Sequence, residues 1–209
     1  MAARRRRPIR NRIIRERAIR PALLQLSGSL SLGMLIVGWS LGGHAVLNAA
    51  RSLPSAAGLM IFGTPPIGRT SEGFSGFKAL SPTVFTPAPS DAEIDAAIKS
   101  AFAPGFAPIP AFVGADFRNT DGAARGYLGA NVQKGRIADE VEIVRNLKIP
   151  LAIVHGEEEQ IVDLAYLQRL EAPTLWRKQV QLIAGAGHAP QWEKAAEFDA
   201  ILDAFAASI

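Results

Sequence analysis

The sequence predicts an α/β fold in which helices cover both faces of a parallel sheet and a helical lid is inserted into the chain. Four short apolar runs lack the alternation of a half-exposed strand, which is typical of strands buried on both faces. Helix-forming segments follow these runs, as the crossovers of a parallel sheet require. Between the second and third runs, the chain is rich in Pro, Gly, Phe and Ala and shows only short helical patterns.

Predicted strands and helices follow one another along the whole chain. The strands are predicted at 34–37, 58–63, 151–155 and 179–184. The helices are predicted at 13–26, 44–50, 90–102, 120–135, 138–147, 163–170 and 191–207. We therefore assign residues 21–66 and 141–209 to the sheet-containing core and residues 67–140 to the helical lid insertion.

The composition restricts the chemistry that the chain can perform. The 209 residues include no cysteine, which excludes a disulfide framework, a thiolate metal site and a cysteine nucleophile. The three histidines lie far apart in the sequence and do not indicate a metal cluster. We therefore expect a cytoplasmic protein that uses no metal and no cofactor.

The positive charge of the chain is concentrated at its amino terminus. Residues 1–20 hold nine of the 23 basic residues and one of the 19 acidic residues, so the body is mildly acidic. Such a segment is typical of an arm that binds nucleic acid or anionic membranes, of a targeting peptide, or of a basic helix face. We favour a disordered or frayed arm, or an incorrectly assigned start, because terminal blocks of like charge are usually unstructured. The acidic body predicts no nucleic-acid or membrane partner.

A G-x-S-x-G motif follows the first predicted strand and precedes a helix-forming run. This context is typical of a nucleophile elbow, in which a strained turn presents a serine hydroxyl above the sheet edge. Ser40 is therefore the candidate nucleophile, and the N–H of Leu41 is the candidate oxyanion donor. We expect Gly38 and Gly42 to be required because a side chain at either position would collide with a neighbouring strand or helix.

A serine nucleophile needs a base within hydrogen-bond reach. His188 follows the fourth predicted strand, in a loop before the last helix, and is the candidate base. The other two histidines, His44 and His155, are interpreted as packing or hydrogen-bonded structural residues.

The base in turn needs an acid that fixes its tautomer and stabilises the imidazolium. Glu159 follows the third predicted strand and is the candidate acid. Its neighbours Glu157 and Glu158 are interpreted as solvated loop charges, and Asp163 is interpreted as the cap of the next helix.

Three segments resemble the α/β-hydrolase superfamily in sequence, order and spacing. They are GWSLGG at 38–43, HGEEEQIVD at 155–163 and GAGHAPQWE at 185–193, and the resemblance covers about residues 22 to 209. The chain resembles single-domain capped esterases and hydrolases of carbon–carbon bonds in aromatic degradation. The resemblance implies that Ser40 is the nucleophile, His188 the base and Glu159 the acid, where the family usually has aspartate.

The resemblance also implies a sheet with four strands before the elbow strand and a second oxyanion donor in the loop after one of them. Only about thirty residues precede the elbow strand here, which is room for one helix. We therefore expect a truncated or misannotated member, or a sheet that another chain completes. The elbow strand would then be an open edge, through which the chain could self-associate.

The function predicted from these features is that of a serine hydrolase acting on a carboxylic ester or a similar small apolar acyl substrate. Trp39, beside the candidate nucleophile, is the candidate substrate-binding residue. Six lid phenylalanines would form either an apolar acyl pocket or lid core, namely Phe74, Phe77, Phe102, Phe106, Phe112 and Phe117. The alternatives are a catalytically impaired homologue and a hydrolase of a carbon–carbon bond in a diketone-type substrate.

Overall fold

The computed structural model describes residues 33–53, 55–69 and 73–209. Within them, one sheet consists of Met34–Trp39 (β1), Ala56–Phe62 (β2), Leu151–Gly156 (β3) and Gln181–Ile183 (β4). The strand order is β1-β2-β3-β4, and every neighbouring pair runs parallel, which confirms the predicted sheet. The predicted arm at 1–20 and the predicted helix at 13–26 lie outside the described residues.

Eight α-helices occur in the described part of the chain. They are Leu41–Ala49 (α1), Asp91–Ser100 (α2), Ala111–Asn119 (α3), Gly122–Gln133 (α4), Glu140–Arg145 (α5), Leu164–Arg169 (α6), Pro190–Glu193 (α7) and Ala195–Ala206 (α8). Three short 3₁₀ segments occupy Ala50–Ser52, Pro82–Phe85 and Trp176–Lys178. None of the helices in these ranges is long and apolar enough to cross a membrane.

The sheet separates two hydrophobic clusters, because successive side chains of a strand point to opposite faces. On one face, Leu59 and Ile61 of β2 belong to a cluster with residues of α1, α5 and α6. On the other face, Met60 and Phe62 belong to a cluster with residues of α8. Helices therefore cover both faces, as the unalternated apolar strands predicted.

The helices α2, α3 and α4 lie between β2 and β3 in the chain. The capping box at Ser90 and Glu93 is present, and it explains why the start of α2 was predicted. The sequence did not predict α3, because this helix has no side-chain cap and no buried residue. The single closing helix predicted at 191–207 was wrong in one respect: Lys194, at φ −141° and ψ 55°, separates α7 from α8.

The strand β1 forms one edge of the described sheet and is hydrogen-bonded to β2 alone within it. Its Val37 side chain is 41% exposed, which is unusual for a strand of a doubly covered parallel sheet. Self-association through this edge stays a prediction.

Candidate active site

The turn between β1 and α1 holds Ser40 in a strained conformation. Its backbone has φ 51° and ψ −121°, a region that residues other than glycine rarely occupy. The N–H of Ser40 donates to the carbonyl of Phe62 at 2.9 Å, so the turn is fastened to the end of β2. Such a turn matches the strained strand-to-helix connection that the G-x-S-x-G motif predicts.

Close packing around the elbow explains two of its three glycines. A Cβ at Gly38 would lie 2.6 Å from the Cα of Gly43, and a Cβ at Gly43 would overlap the side chain of Thr64. The expectation for Gly42 was wrong, because a Cβ there would meet nothing within 4 Å. The crowded position is Gly43 because Thr64, at the end of β2, donates its hydroxyl to the carbonyls of both Ser40 and Phe62.

The first turn of α1 begins immediately after Ser40. Leu41 is the first residue of the helix, so its N–H has no partner inside the helix. The N–H groups of Gly43 and His44 instead donate back to the Ser40 carbonyl, at 3.0 and 3.4 Å. The Leu41 N–H therefore remains at the positive end of the helix, next to the candidate nucleophile.

His188 and Glu159 form a buried hydrogen-bonded pair. The distance from His188 Nδ1 to Glu159 Oε2 is 2.7 Å, and the two residues are 4% and 3% exposed. The other carboxylate oxygen of Glu159 accepts from the N–H of Ile161 at 2.8 Å. Burial raises the pKa of Glu159, but the hydrogen bond and the charge of His188 outweigh it, so the pKa lies below its ordinary value of 4.5.

The loop after β3 distinguishes Glu159 from the other acids that follow this strand. Glu157 and Glu158 are exposed, whereas Glu159 is buried. Asp163 caps α6 by accepting from the N–H of Tyr166 at 3.2 Å. Of these four acids, Glu159 is the one that hydrogen-bonds to His188.

Trp39 of β1 and Gly63, which follows β2, both contact His188. The indole N–H of Trp39 donates to the His188 carbonyl at 2.7 Å. The imidazole lies against Gly63, where a Cβ would be 2.6 Å from Cε1. Trp39 uses its only polar group, the indole N–H, to bind the loop that carries His188, and it therefore positions this residue. A contact between Trp39 and substrate stays a prediction.

The site residues all follow the carboxyl ends of neighbouring parallel strands. Ser40 follows β1, Gly63 follows β2, Glu159 lies three residues beyond β3, and His188 lies five residues beyond β4. The parallel register places these ends at one edge of the sheet, the edge where ligands of open α/β sheets bind. The parallel strands thus bring the three predicted residues Ser40, Glu159 and His188 to the same edge of the sheet.

A second histidine–carboxylate pair, between a half-buried histidine and a buried glutamate, connects α1 to α5. His44 Nδ1 lies 2.7 Å from Glu140 Oε2, and Asn48 donates to Glu140 Oε1, also at 2.7 Å. The N–H of Glu140 donates to the Ile67 carbonyl at 2.8 Å, and the N–H of Ile67 donates to Glu140 Oε2 at 3.0 Å. Sequence reasoning missed Glu140, because a glutamate in the first turn of a helix is usually a solvated charge.

An aromatic cluster beside Trp39 joins α7 to α3. Trp192 makes edge contacts with Trp39 and with Phe112 of α3, at ring distances of 5.0 and 5.4 Å. Phe102 is 1% exposed and stacks on Phe106, so it belongs to the lid core. Phe112 is 46% exposed, which leaves it available to an apolar substrate group.

One cavity in the described part of the chain lies away from these residues. Its volume is about 580 Å³, and it is lined by residues of α6, β4, α8 and the segment before β4, including Gln168, Arg177 and Gln181. In the described part of the chain, no group of His, Asp and Glu side chains is arranged to hold a metal ion.

Comparison with known proteins agrees with this geometry. The sequence profile of the "Alpha/beta hydrolase family" matches residues 17–201. No curated protein sequence is significantly similar to the chain. A variant of the N-acyl homoserine lactonase AidH, complexed with N-hexanoyl homoserine lactone, is 30% identical, with a TM-score of 0.80, 89% of this chain covered and 68% of that one.

Two further structures extend the comparison. AidH complexed with N-butanoyl homoserine is 30% identical, with a TM-score of 0.81, and the alignment covers 92% of this chain and 72% of that one. A meta-cleavage product hydrolase from Pseudomonas fluorescens is 17% identical, with a TM-score of 0.73 and coverages of 97% and 75%, which shows a shared fold alone. By its sequence profile and by its 30% identity to AidH, the chain belongs to the α/β hydrolase family.

Proposed function

We propose that this protein is a serine hydrolase that cleaves a carboxylic ester or a lactone through an acyl-enzyme. The observation that carries the proposal is the buried 2.7 Å pair of His188 and Glu159 at the sheet edge where the elbow presents Ser40. An imidazole that an acid orients activates a serine hydroxyl within its hydrogen-bond reach.

Each of the three residues has one role in the proposed reaction. Ser40 Oγ attacks the acyl carbon while His188 Nε2 takes the hydroxyl proton, and the Leu41 N–H donates to the oxygen that becomes negative. His188 then gives the proton to the leaving alkoxide, and the C–O bond of the ester breaks. A water molecule, activated by the same imidazole, hydrolyses the acyl-enzyme and restores Ser40.

Glu159 determines which ring nitrogen of His188 takes the serine proton. Its carboxylate accepts a hydrogen bond from the Nδ1–H of His188, which leaves Nε2 as the ring nitrogen that takes the serine proton in the proposed reaction. The lowered pKa of Glu159 keeps this carboxyl ionised at neutral pH, so it stabilises the imidazolium that forms after proton transfer.

The substrate class follows from the aromatic surroundings and from the relatives. Phe112, Trp192 and Trp39 offer an apolar surface suited to a small acyl group. The similarity to an N-acyl homoserine lactonase supports a lactone as substrate beside a simple ester. Cleavage of a carbon–carbon bond in a diketone-type substrate stays an alternative, which rests on similarity of fold. The partner is thus a small molecule, and the cytoplasmic location stays a prediction.

The test measures hydrolysis of p-nitrophenyl butyrate and of N-hexanoyl homoserine lactone by the wild-type protein and by Ser40→Ala. We expect turnover of at least one of them, reduced by about a thousandfold or more in the variant. If both proteins are folded and equally inert towards both substrates, the alternative of a catalytically impaired homologue replaces the proposal. The circular dichroism spectrum of each protein serves as the folding control.

A further inference from the structure

One peptide group of the lid lies between the two loops that carry the acid and the base. We call residues 157–163 the acid loop and residues 184–189 the base loop. The carbonyl of Phe102 accepts from Gln160 Nε2 of the acid loop at 2.7 Å. The N–H of Ala103, in the same peptide group, donates to Glu193 Oε2 at 2.7 Å. Both polar atoms of this peptide are therefore used to connect the lid to the site.

The carboxylate of Glu193 also holds the base loop directly. Its Oε1 atom accepts from the N–H of Gly187 at 2.9 Å and from the N–H of Ala189 at 3.1 Å. These are the two residues on either side of His188 in the chain. A charged acceptor makes such bonds stronger than neutral ones, so Glu193 restrains the backbone from which the imidazole projects.

Packing leaves no space for this arrangement to shift. A Cβ at Gly187 would lie 2.6 Å from the carbonyl carbon of Phe102. Phe102 itself is 1% exposed and clusters with Ala189 of the base loop. The lid backbone and the base loop are thus in closest contact at the point where the Glu193 carboxylate connects them.

We propose that Glu193 is a positioning residue that, with Gln160 and the Phe102–Ala103 peptide, clamps the base loop to the acid loop so that His188 meets Glu159. This inference rests on the proposed function, since it assigns a task within the same site. It makes the segment that follows α2 part of the assembled site, in addition to any role of the insertion as a cover.

The first test replaces the carboxylate without changing its size. In Glu193→Gln, the amide NH₂ replaces one acceptor with a donor, so either Ala103 or the pair Gly187 and Ala189 loses its acceptor. We expect kcat for p-nitrophenyl butyrate to fall by about tenfold or more, with KM changed by no more than about twofold. Glu197→Gln, which neutralises an exposed carboxylate of α8, is the matched control and should leave both constants unchanged.

The second test detects the clamp by amide hydrogen exchange, which does not depend on catalysis. Amide hydrogen exchange should accelerate in Glu193→Gln at Ala103 or at Gly187 and Ala189, whichever lose their acceptor, and remain at the wild-type rate in Glu197→Gln. The same comparison in the Ser40→Ala background separates this inference from the proposed function. An inert wild-type protein that still shows the Glu193-dependent protection overturns the proposed function alone. Unchanged exchange at Ala103, Gly187 and Ala189 in Glu193→Gln overturns the clamp.

A double-mutant cycle tests whether both loops act through the same peptide. Gln160→Leu removes the donor to Phe102 while keeping a side chain of similar size. If the clamp is one unit, the double variant Gln160→Leu/Glu193→Gln has the kcat of the more impaired single variant within about twofold. Independent, multiplicative losses in the double variant overturn the coupling through the lid peptide.

Discussion

Gly63 is in van der Waals contact with the imidazole of His188, so that a Cβ at position 63 would lie 2.6 Å from Cε1 and 2.9 Å from Nδ1. Gly63 also has φ +59°, in the left-handed region that glycine adopts without strain. The residue that follows β2 therefore fixes the place of a ring that comes from the loop after β4.

Replacing Gly63 should impair activity more than stability. In Gly63→Ala the new methyl group displaces the His188 ring, and we expect kcat/KM for p-nitrophenyl butyrate to fall on the order of a hundredfold. Gly135→Ala is the matched control, because Gly135 has φ +63° and no atom within 4 Å of an added Cβ. Both variants should lose about 1 kcal/mol from backbone strain. Equal kcat/KM values for Gly63→Ala and Gly135→Ala would show that the contact between Gly63 and His188 does not matter for activity.

The strained backbone that positions Ser40 should lower the free energy of unfolding of the protein. Ser40→Gly relieves the conformation at φ 51°, whereas Ser40→Ala retains the Cβ and thus the strain. We expect Ser40→Gly to have a free energy of unfolding about 1 kcal/mol larger than that of Ser40→Ala, although glycine also increases unfolded-state entropy. Urea denaturation of the two variants measures the difference, and an alanine variant that is the more stable would refute this account of the elbow.

The two consecutive glycines of α1 should respond in opposite directions to alanine. In Gly43→Ala the methyl group overlaps Thr64, and we expect a loss of about 1–3 kcal/mol in the free energy of unfolding. In Gly42→Ala the methyl group has free space, and the helix should gain about 0.5–1 kcal/mol. Thermal denaturation of both variants measures these changes in stability. A Gly42→Ala variant that is less stable than the wild-type protein would contradict the prediction.

The buried His155 should make the protein sensitive to mild acid. Burial lowers its pKa below the ordinary value of 6.5, only partly offset by the charge of Glu159, and its Nδ1 has no hydrogen-bond partner among the described residues. Because the unfolded chain binds the proton first as the pH falls, the free energy of unfolding decreases below about pH 6.5.

His155→Gln cannot take up this proton. We therefore expect the loss of unfolding free energy between pH 7.5 and pH 5.5 to be smaller in His155→Gln than in the wild-type protein. Urea denaturation at the two pH values gives the loss for each protein. Because each loss is a difference within one protein, any change in stability that the substitution causes at both pH values cancels. Identical losses in the two proteins would show that His155 does not titrate in this way.

The fold and the three proposed catalytic residues could be predicted because their signals are local in the sequence. Each strand is a continuous apolar run, and Ser40, Glu159 and His188 each follow such a run within a few residues. In a parallel sheet, that order alone places the three side chains at one edge.

The missed features depend on contacts between distant parts of the chain. The need for glycine at position 43 comes from Thr64, and the role of Glu193 comes from backbone N–H groups of the base loop and of Ala103. The helix α3 lacks both a cap and a buried face, so it has neither of the signals that revealed α2. Such features become visible once the packing partners are known.

The most direct test of the central claim is covalent labelling of Ser40 by an alkyl fluorophosphonate, followed by mass spectrometry of the digested protein. We predict a phosphonyl adduct on the peptide that contains Ser40, its absence in Ser40→Ala, and labelling slowed about a hundredfold or more in folded His188→Ala. An unlabelled folded wild-type protein, or a Ser40→Ala variant labelled as fast as the wild type, would contradict the proposal that Ser40 is a nucleophile activated by His188.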